Sequence, residues 1–134
     1  MEMKYKTILI EKAAVDDISF SSDSSKILTA LADGTIKIWD ANSCDLLKTL
    51  DGDVDKVVSI KRSNDGSKII SKEKNGEVKV WNTNSGDCLL TLSADKEYYL
   101  FTLSPDGRKV AAKPFTNNAF GVSNTDIIEV FDLE

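Results

Sequence analysis

A shift of 42 residues maps this chain onto itself. Asp33-Gly34-Thr35-Ile36-Lys37-Ile38-Trp39-Asp40 returns as Asn75-Gly76-Glu77-Val78-Lys79-Val80-Trp81-Asn82. The same shift carries Ser21-Ser22-Asp23-Ser24-Ser25-Lys26-Ile27-Leu28 onto Ser63-Asn64-Asp65-Gly66-Ser67-Lys68-Ile69-Ile70, and Asn42-Ser43-Cys44-Asp45 onto Asn84-Ser85-Gly86-Asp87. A third copy is altered. Ser104-Pro105-Asp106-Gly107-Arg108-Lys109-Val110 arrives one residue early, and Ile127-Ile128-Glu129-Val130-Phe131-Asp132 arrives late, after extra residues between Ala112 and Asp126. A repeat of this length is one supersecondary unit that buries its apolar surface only against its neighbours, so the chain must be a stack of such units.

Within the second copy, four β-rich runs fall at 46–50, 57–61, 67–72 and 77–82, divided by Asn64-Asp65-Gly66, Asn75-Gly76 and Asn84-Ser85-Gly86-Asp87. Branched residues between turn clusters mark strands. No stretch keeps helical spacing of apolar residues, so the fold class is all-β. Four short strands per unit of about 40 residues is the pattern of a propeller blade.

The residues that carry a family resemblance are Ser104-Pro105-Asp106-Gly107, the run from Asp33 to Asp40, and the weaker Trp81-Asn82 and Phe131-Asp132. On these the chain resembles the WD-repeat β-propellers over almost its whole length. The resemblance implies blades of four antiparallel strands, three per chain. The family's Gly-His dipeptide is missing from every copy, which rules out its histidine-centred hydrogen-bond tetrad. What the resemblance leaves is Asp33 with Thr29 and Trp39 in the first blade, and Asn75 with Ser71 and Trp81 in the second. The third has Ala112 and Phe131 there and must be held mainly by packing.

Three blades cannot close a ring, since propellers take about four to eight. Residues 1–134 are therefore expected to form a half-propeller, with blade 1 at about 15–50, blade 2 at about 57–92 and blade 3 at about 98–132. In the family's strand order, residues 5–10 are an outermost strand with no blade of their own, and the last blade lacks one. Two chains would give six blades, so the expectation is a homodimeric ring in which 5–10 is donated to the partner's last blade. The competing reading is a piece of a longer propeller scaffold with no separate activity.

Composition narrows the chemistry. With no histidine, Ser-His-Asp triads, Cys-His pairs and histidine metal sites are excluded. No Gly-rich phosphate loop or Gly-x-Ser-x-Gly elbow occurs. Asp16 and Asp17, adjacent on a strand, point to opposite faces and make no acid and base pair. The chain is read as no enzyme, and no cofactor is expected. A formal charge of −5 with lysines interleaved among acids argues against nucleic acid. No apolar run approaches a membrane span. Cys44 and Cys88 have no metal-ligand spacing, and reduced thiols point to the cytoplasm.

Function is expected on the rim that carries the second-to-third-strand loops, where a protein or peptide partner would bind. Residues 113–124 replace a tight turn there and contain Phe115 and Phe120. One of Tyr98 and Tyr99 is expected at the channel mouth, with packing as the commoner role for such residues, and Tyr98 is counted with the rim. Asp16, Asp53 and Asp55 make that rim acidic and suited to a basic partner. The carboxylates from Asp51 to Asp55 begin like a calcium loop, but Lys56 and Arg62 break the pattern, so no metal is assigned. Trp39, Trp81 and Phe131 are read as blade-packing residues, with Asp33, Thr29 and Ser71 beside them. The alternative from another class is a small-ligand, sugar or metal binder, or an enzyme, that uses channel carboxylates and aromatics.

Overall fold

A computed structural model describes residues 3–10, 12–51, 55–115 and 127–133. Eleven antiparallel strands form three sheets, with no α-helix among the described residues. The first sheet orders β1 (Val15–Phe20), β2 (Lys26–Leu31), β3 (Thr35–Asp40) and β4 (Leu46–Asp51) in sequence. The second repeats this with β5 (Val57–Arg62), β6 (Lys68–Glu73), β7 (Val78–Asn82) and β8 (Cys88–Leu92). After a short 3-10 turn at Ala94–Lys96 come β9 (Tyr98–Leu103), β10 (Lys109–Pro114) and β11 (Glu129–Asp132), which form a third sheet of three strands. Registers repeat with the sequence: Ile38 lies opposite Lys48 and Trp39 opposite Leu46, just as Val80 lies opposite Leu90 and Trp81 opposite Cys88.

Short polar side chains fix the turns that join the first two strands of each sheet. The Asp65 carboxylate accepts from the Ser63 hydroxyl at 2.7 Å and from the Ser67 amide at 2.9 Å, and Ser63 Oγ accepts from the Lys68 amide at 3.0 Å. Asp23 with Ser21 and Ser25, and Asp106 with Ser104 and Arg108, build the same turn. These hydrogen bonds favour the charged form, so all three carboxyls are held below the usual range.

The core consists of two junctions between sheets. Leu28, Ile36, Ile38 and Leu50 of the first sheet pack on Val57, Ile60, Ile69 and Trp81 of the second. The opposite face of the second sheet, with Ile70, Val78, Val80 and Leu92, packs on Tyr98, Phe101, Val110 and Ala112 of the third. Adjacent residues such as Ile69 and Ile70 serve opposite faces, as the two-residue period of a strand requires. The second sheet is thus a middle layer, apolar on both sides.

The end sheets keep apolar residues at the corresponding positions, uncovered. Val15 and Ile18 are 46% and 65% exposed, whereas their equivalents Val57 and Ile60 are 2% and 5% exposed. On the far face of the third sheet Ile128 and Val130 are 66% and 62% exposed, whereas Val78 and Val80 are fully buried.

Residues 3–10 carry no strand pairing and lie along the uncovered face of the first sheet, where Lys6 Nζ donates to the Asn42 carbonyl. Between this segment and the sheet opens a cleft of about 900 Å³, with Ile8, Val15, Ile18 and Ile27 among its walls.

Candidate functional site

The C-terminal ends of β2, β6 and β10 lie on one rim with the segments that lead into β1, β5 and β9. Backbone hydrogen bonds tie them together: the Ala32 amide to the Ala14 carbonyl at 2.9 Å, the Lys74 amide to the Lys56 carbonyl at 2.8 Å, and the Phe115 amide to the Lys96 and Glu97 carbonyls. At the third sheet this rim carries an aromatic pair. Tyr99 and Phe115, both about half exposed, meet edge to face with centroids 6.4 Å apart, and Lys113 Nζ stands 5.1 Å from the Tyr99 ring. A cleft of about 630 Å³ runs beside them, bounded also by Lys72, Lys74 and Glu97. Exposed aromatics next to lysines give a surface that can hold an apolar side chain and an anionic group at once.

Of the expected rim residues, Phe115 takes this exposed position, while Phe120 and Asp53 lie outside the described residues. Tyr98 is 3% exposed and packs on the second sheet, so it lines the floor of the rim cleft while its exposed neighbour Tyr99 presents its ring on the rim. The Tyr98 hydroxyl donates to Glu129 at 2.7 Å, and Lys96 pairs with the same carboxylate at 3.1 Å. Burial and the adjacent carboxylate push the Tyr98 phenol up to about 12, and the hydroxyl and the lysine hold Glu129 below its ordinary value. The expectation of an acidic rim is also revised. Asp16 is paired with Lys56 at 3.2 Å, so the lysine offsets that acid, whereas among the described residues Asp55 accepts only from the Lys56 backbone amide. Asp17 points elsewhere, and one of its carboxylate oxygens accepts from the Ile60 amide across the first junction at 2.9 Å.

The blade-packing residues lie in the sheets. Trp39 Nε1 donates to Thr29 at 3.0 Å and Trp81 Nε1 to Ser71 at 2.9 Å. Asp33 and Asn75 do not join these bonds. Each caps its own turn, Asp33 accepting from Thr35 and Asn75 from the Glu77 amide. In the third sheet, where Ala112 and Phe131 replace the hydroxyl and the indole, the buried Tyr98 and the partly exposed Glu129 add a polar tie to the packing. Phe131 is half-buried against the second junction.

Glu73, not among the expected site residues, is 2% exposed at the end of β6. One carboxylate oxygen lies 3.3 Å from Lys79 Nζ, and the other is buried with no hydrogen-bond partner among the described residues. Burial, then repulsion from Glu77 and Asp55, pushes its carboxyl up to about 7. The equivalent positions hold Leu31 and Pro114, so a charge where sibling repeats are apolar was the available signal.

Among the described residues, no group of three potential ligands comes together to hold a metal ion, and no helix is long and apolar enough to cross a membrane. Cys44 and Cys88 are unpaired thiols. A family model for the WD40 repeat, described as WD domain, G-beta repeat, matches residues 4–40, the N-terminal segment through β3. That match is consistent with the WD-repeat resemblance carried by the Asp33 to Asp40 motif. No curated protein matches the chain.

Proposed function

We propose that the chain is a non-catalytic interaction module that works as a ring of two copies and binds a protein or peptide through the rim that carries Tyr99 and Phe115. The observation that carries this reading is the repeat mismatch in burial. Positions that both internal junctions bury are exposed on the outer faces of the first and third sheets. Those faces point away from the middle sheet in opposite directions, so they cannot cover one another within one chain, whereas a second copy can cover both. Exposed apolar patches of this kind mark interaction surfaces, and two such junctions exceed roughly 1,000 Å² in total.

WD40 repeats in general mediate protein–protein interaction or scaffolding, which agrees with this reading. With two-fold symmetry the rim cleft occurs twice per particle, which suits a partner that offers two copies of its motif. The unpaired thiols fit a reducing, cytoplasmic setting.

The rim is tested by the double variant Tyr99→Ser and Phe115→Ser. Its expected result is loss of partners that co-purify with the unsubstituted protein, with the mass in solution unchanged. Partners retained at full yield by the double variant would move the binding surface elsewhere.

A further inference from the structure

Residues 6–8 read Lys-Thr-Ile, and 42 residues on, β4 carries Lys48-Thr49-Leu50. The contacts repeat with the sequence. Lys6 Nζ donates to the Asn42 carbonyl on the first sheet, and Lys48 Nζ donates to the Asn84 carbonyl on the second. The N-terminal segment therefore sits on the first sheet as β4 sits on the second, in the place of an outermost strand, yet it pairs with no strand among the described residues. A cleft of about 900 Å³ opens beneath it. At the other end of the chain β11 pairs with β10 alone among the described residues, while β3 and β7 each carry a fourth strand on that side.

We propose that residues 4–8 of one copy pair antiparallel with β11 of a second copy, setting Ile8 opposite Ile128, Thr7 opposite Glu129, Lys6 opposite Val130 and Lys4 opposite Phe131. This rests on the two-copy ring proposed above and specifies how it closes. The register is that of both complete sheets, in which Ile36 faces Leu50 and Lys37 faces Thr49, and Val78 faces Leu92 and Lys79 faces Thr91. Strand addition satisfies the open backbone edge of β11 and places Ile8 where Leu50 and Leu92 are buried. It also sets Ile128 and Val130 against Val15 and Ile18 of the other copy, a third junction built like the first two. Each copy both donates and accepts, and since three sheets from each make six, the exchange closes at two chains and leaves β11 no open edge.

The test uses full-length chains with Cys44→Ser and Cys88→Ser. One batch carries Thr7→Cys, the other Glu129→Cys, and the two are mixed, oxidised and run without reductant. The proposal predicts a disulfide-linked pair in the mixture, none in either batch alone, and none when Lys6→Cys, on the opposite face of the strand, replaces Thr7→Cys. Since Glu129→Cys removes the partner of Tyr98, Thr7→Pro in the otherwise unsubstituted chain is a second arm and should weaken assembly at least tenfold. A two-chain mass with no Thr7–Glu129 link and no effect of Thr7→Pro would overturn the strand exchange but leave the ring standing. A single-chain mass for the unsubstituted protein would overturn both.

Discussion

Ile18 and Ile60 occupy the same place in successive repeats, one 65% and the other 5% exposed, and the same truncation at each should have different consequences. Ile60→Ala empties part of the first junction within the chain, a loss of about 2–5 kcal/mol for a buried isoleucine. In an isolated chain Ile18→Ala touches a mostly solvated side chain and should change stability by no more than about 0.5 kcal/mol. In a ring of two, Ile18 becomes the Ile60 of the closing junction, and that junction occurs twice. The two truncations together then remove about 4–10 kcal/mol from association, and at 1.4 kcal/mol per decade the dissociation constant rises about 10³-fold or more. Sedimentation equilibrium over a wide concentration range reads this directly, and thermal unfolding at the same concentrations reports it as a melting temperature that depends on protein concentration. Ile18→Ala should give a folded single chain, and Ile60→Ala a chain of lower intrinsic stability. If Ile18→Ala keeps the dissociation constant of the unsubstituted protein, the outer face of the first sheet makes no junction and the reasoning fails.

Further expectations concern the sheets themselves. Ser71→Ala leaves the Trp81 N–H buried without its partner, and urea unfolding should show a loss of about 1–3 kcal/mol. Glu73 keeps its proton in the fold up to about pH 7, whereas the unfolded chain releases it near the ordinary value of 4.5. Its contribution is therefore complete below pH 4.5 and is lost as pH rises toward 7, with a slope of at most about 1.4 kcal/mol per pH unit. Glu73→Gln should flatten that fall when urea midpoints are compared from pH 5 to 8, and an unchanged slope would assign it to other groups. Gly107 has φ +71, and a β-carbon there would overlap the Ser67 hydroxyl in the neighbouring turn. Gly107→Ala should cost at least about 1 kcal/mol by calorimetry.

The strands of the first two sheets were legible because the repeat aligned runs such as 57–61 and 77–82 with the turns beside them, and each turn is built from its own short side chains. The inward direction of Tyr98 was not. β9 meets β10 through a register irregularity between Lys113 and Pro114, so alternation counted along the strand does not say which of two adjacent tyrosines faces the second sheet. The polar tie that adds to the packing of the third sheet was hidden for a related reason. Ala112 and Phe131 mark the loss of one bond, but Tyr98 and Glu129, 31 residues apart, meet only through pairing across β9, β10 and β11. For Glu73 the sequence offers one signal, a charge where the equivalent positions hold Leu31 and Pro114, but that the acid is buried follows only from the packed junction. At the rim, Asp16 was visible as a charge, but its neutralisation by Lys56 depends on the approach of the first sheet to the second. The N-terminal run at 5–10 was read as a strand, and in the single chain it has the place of one without the pairing.

The two-copy ring is tested most directly by the mass of the purified full-length protein in solution, measured by light scattering across micromolar concentrations. Two chains of 14.7 kDa each, in one monodisperse species, are predicted. A monodisperse single chain that stays folded across that range would contradict the account, because the outer faces of the first and third sheets would then be stable without cover.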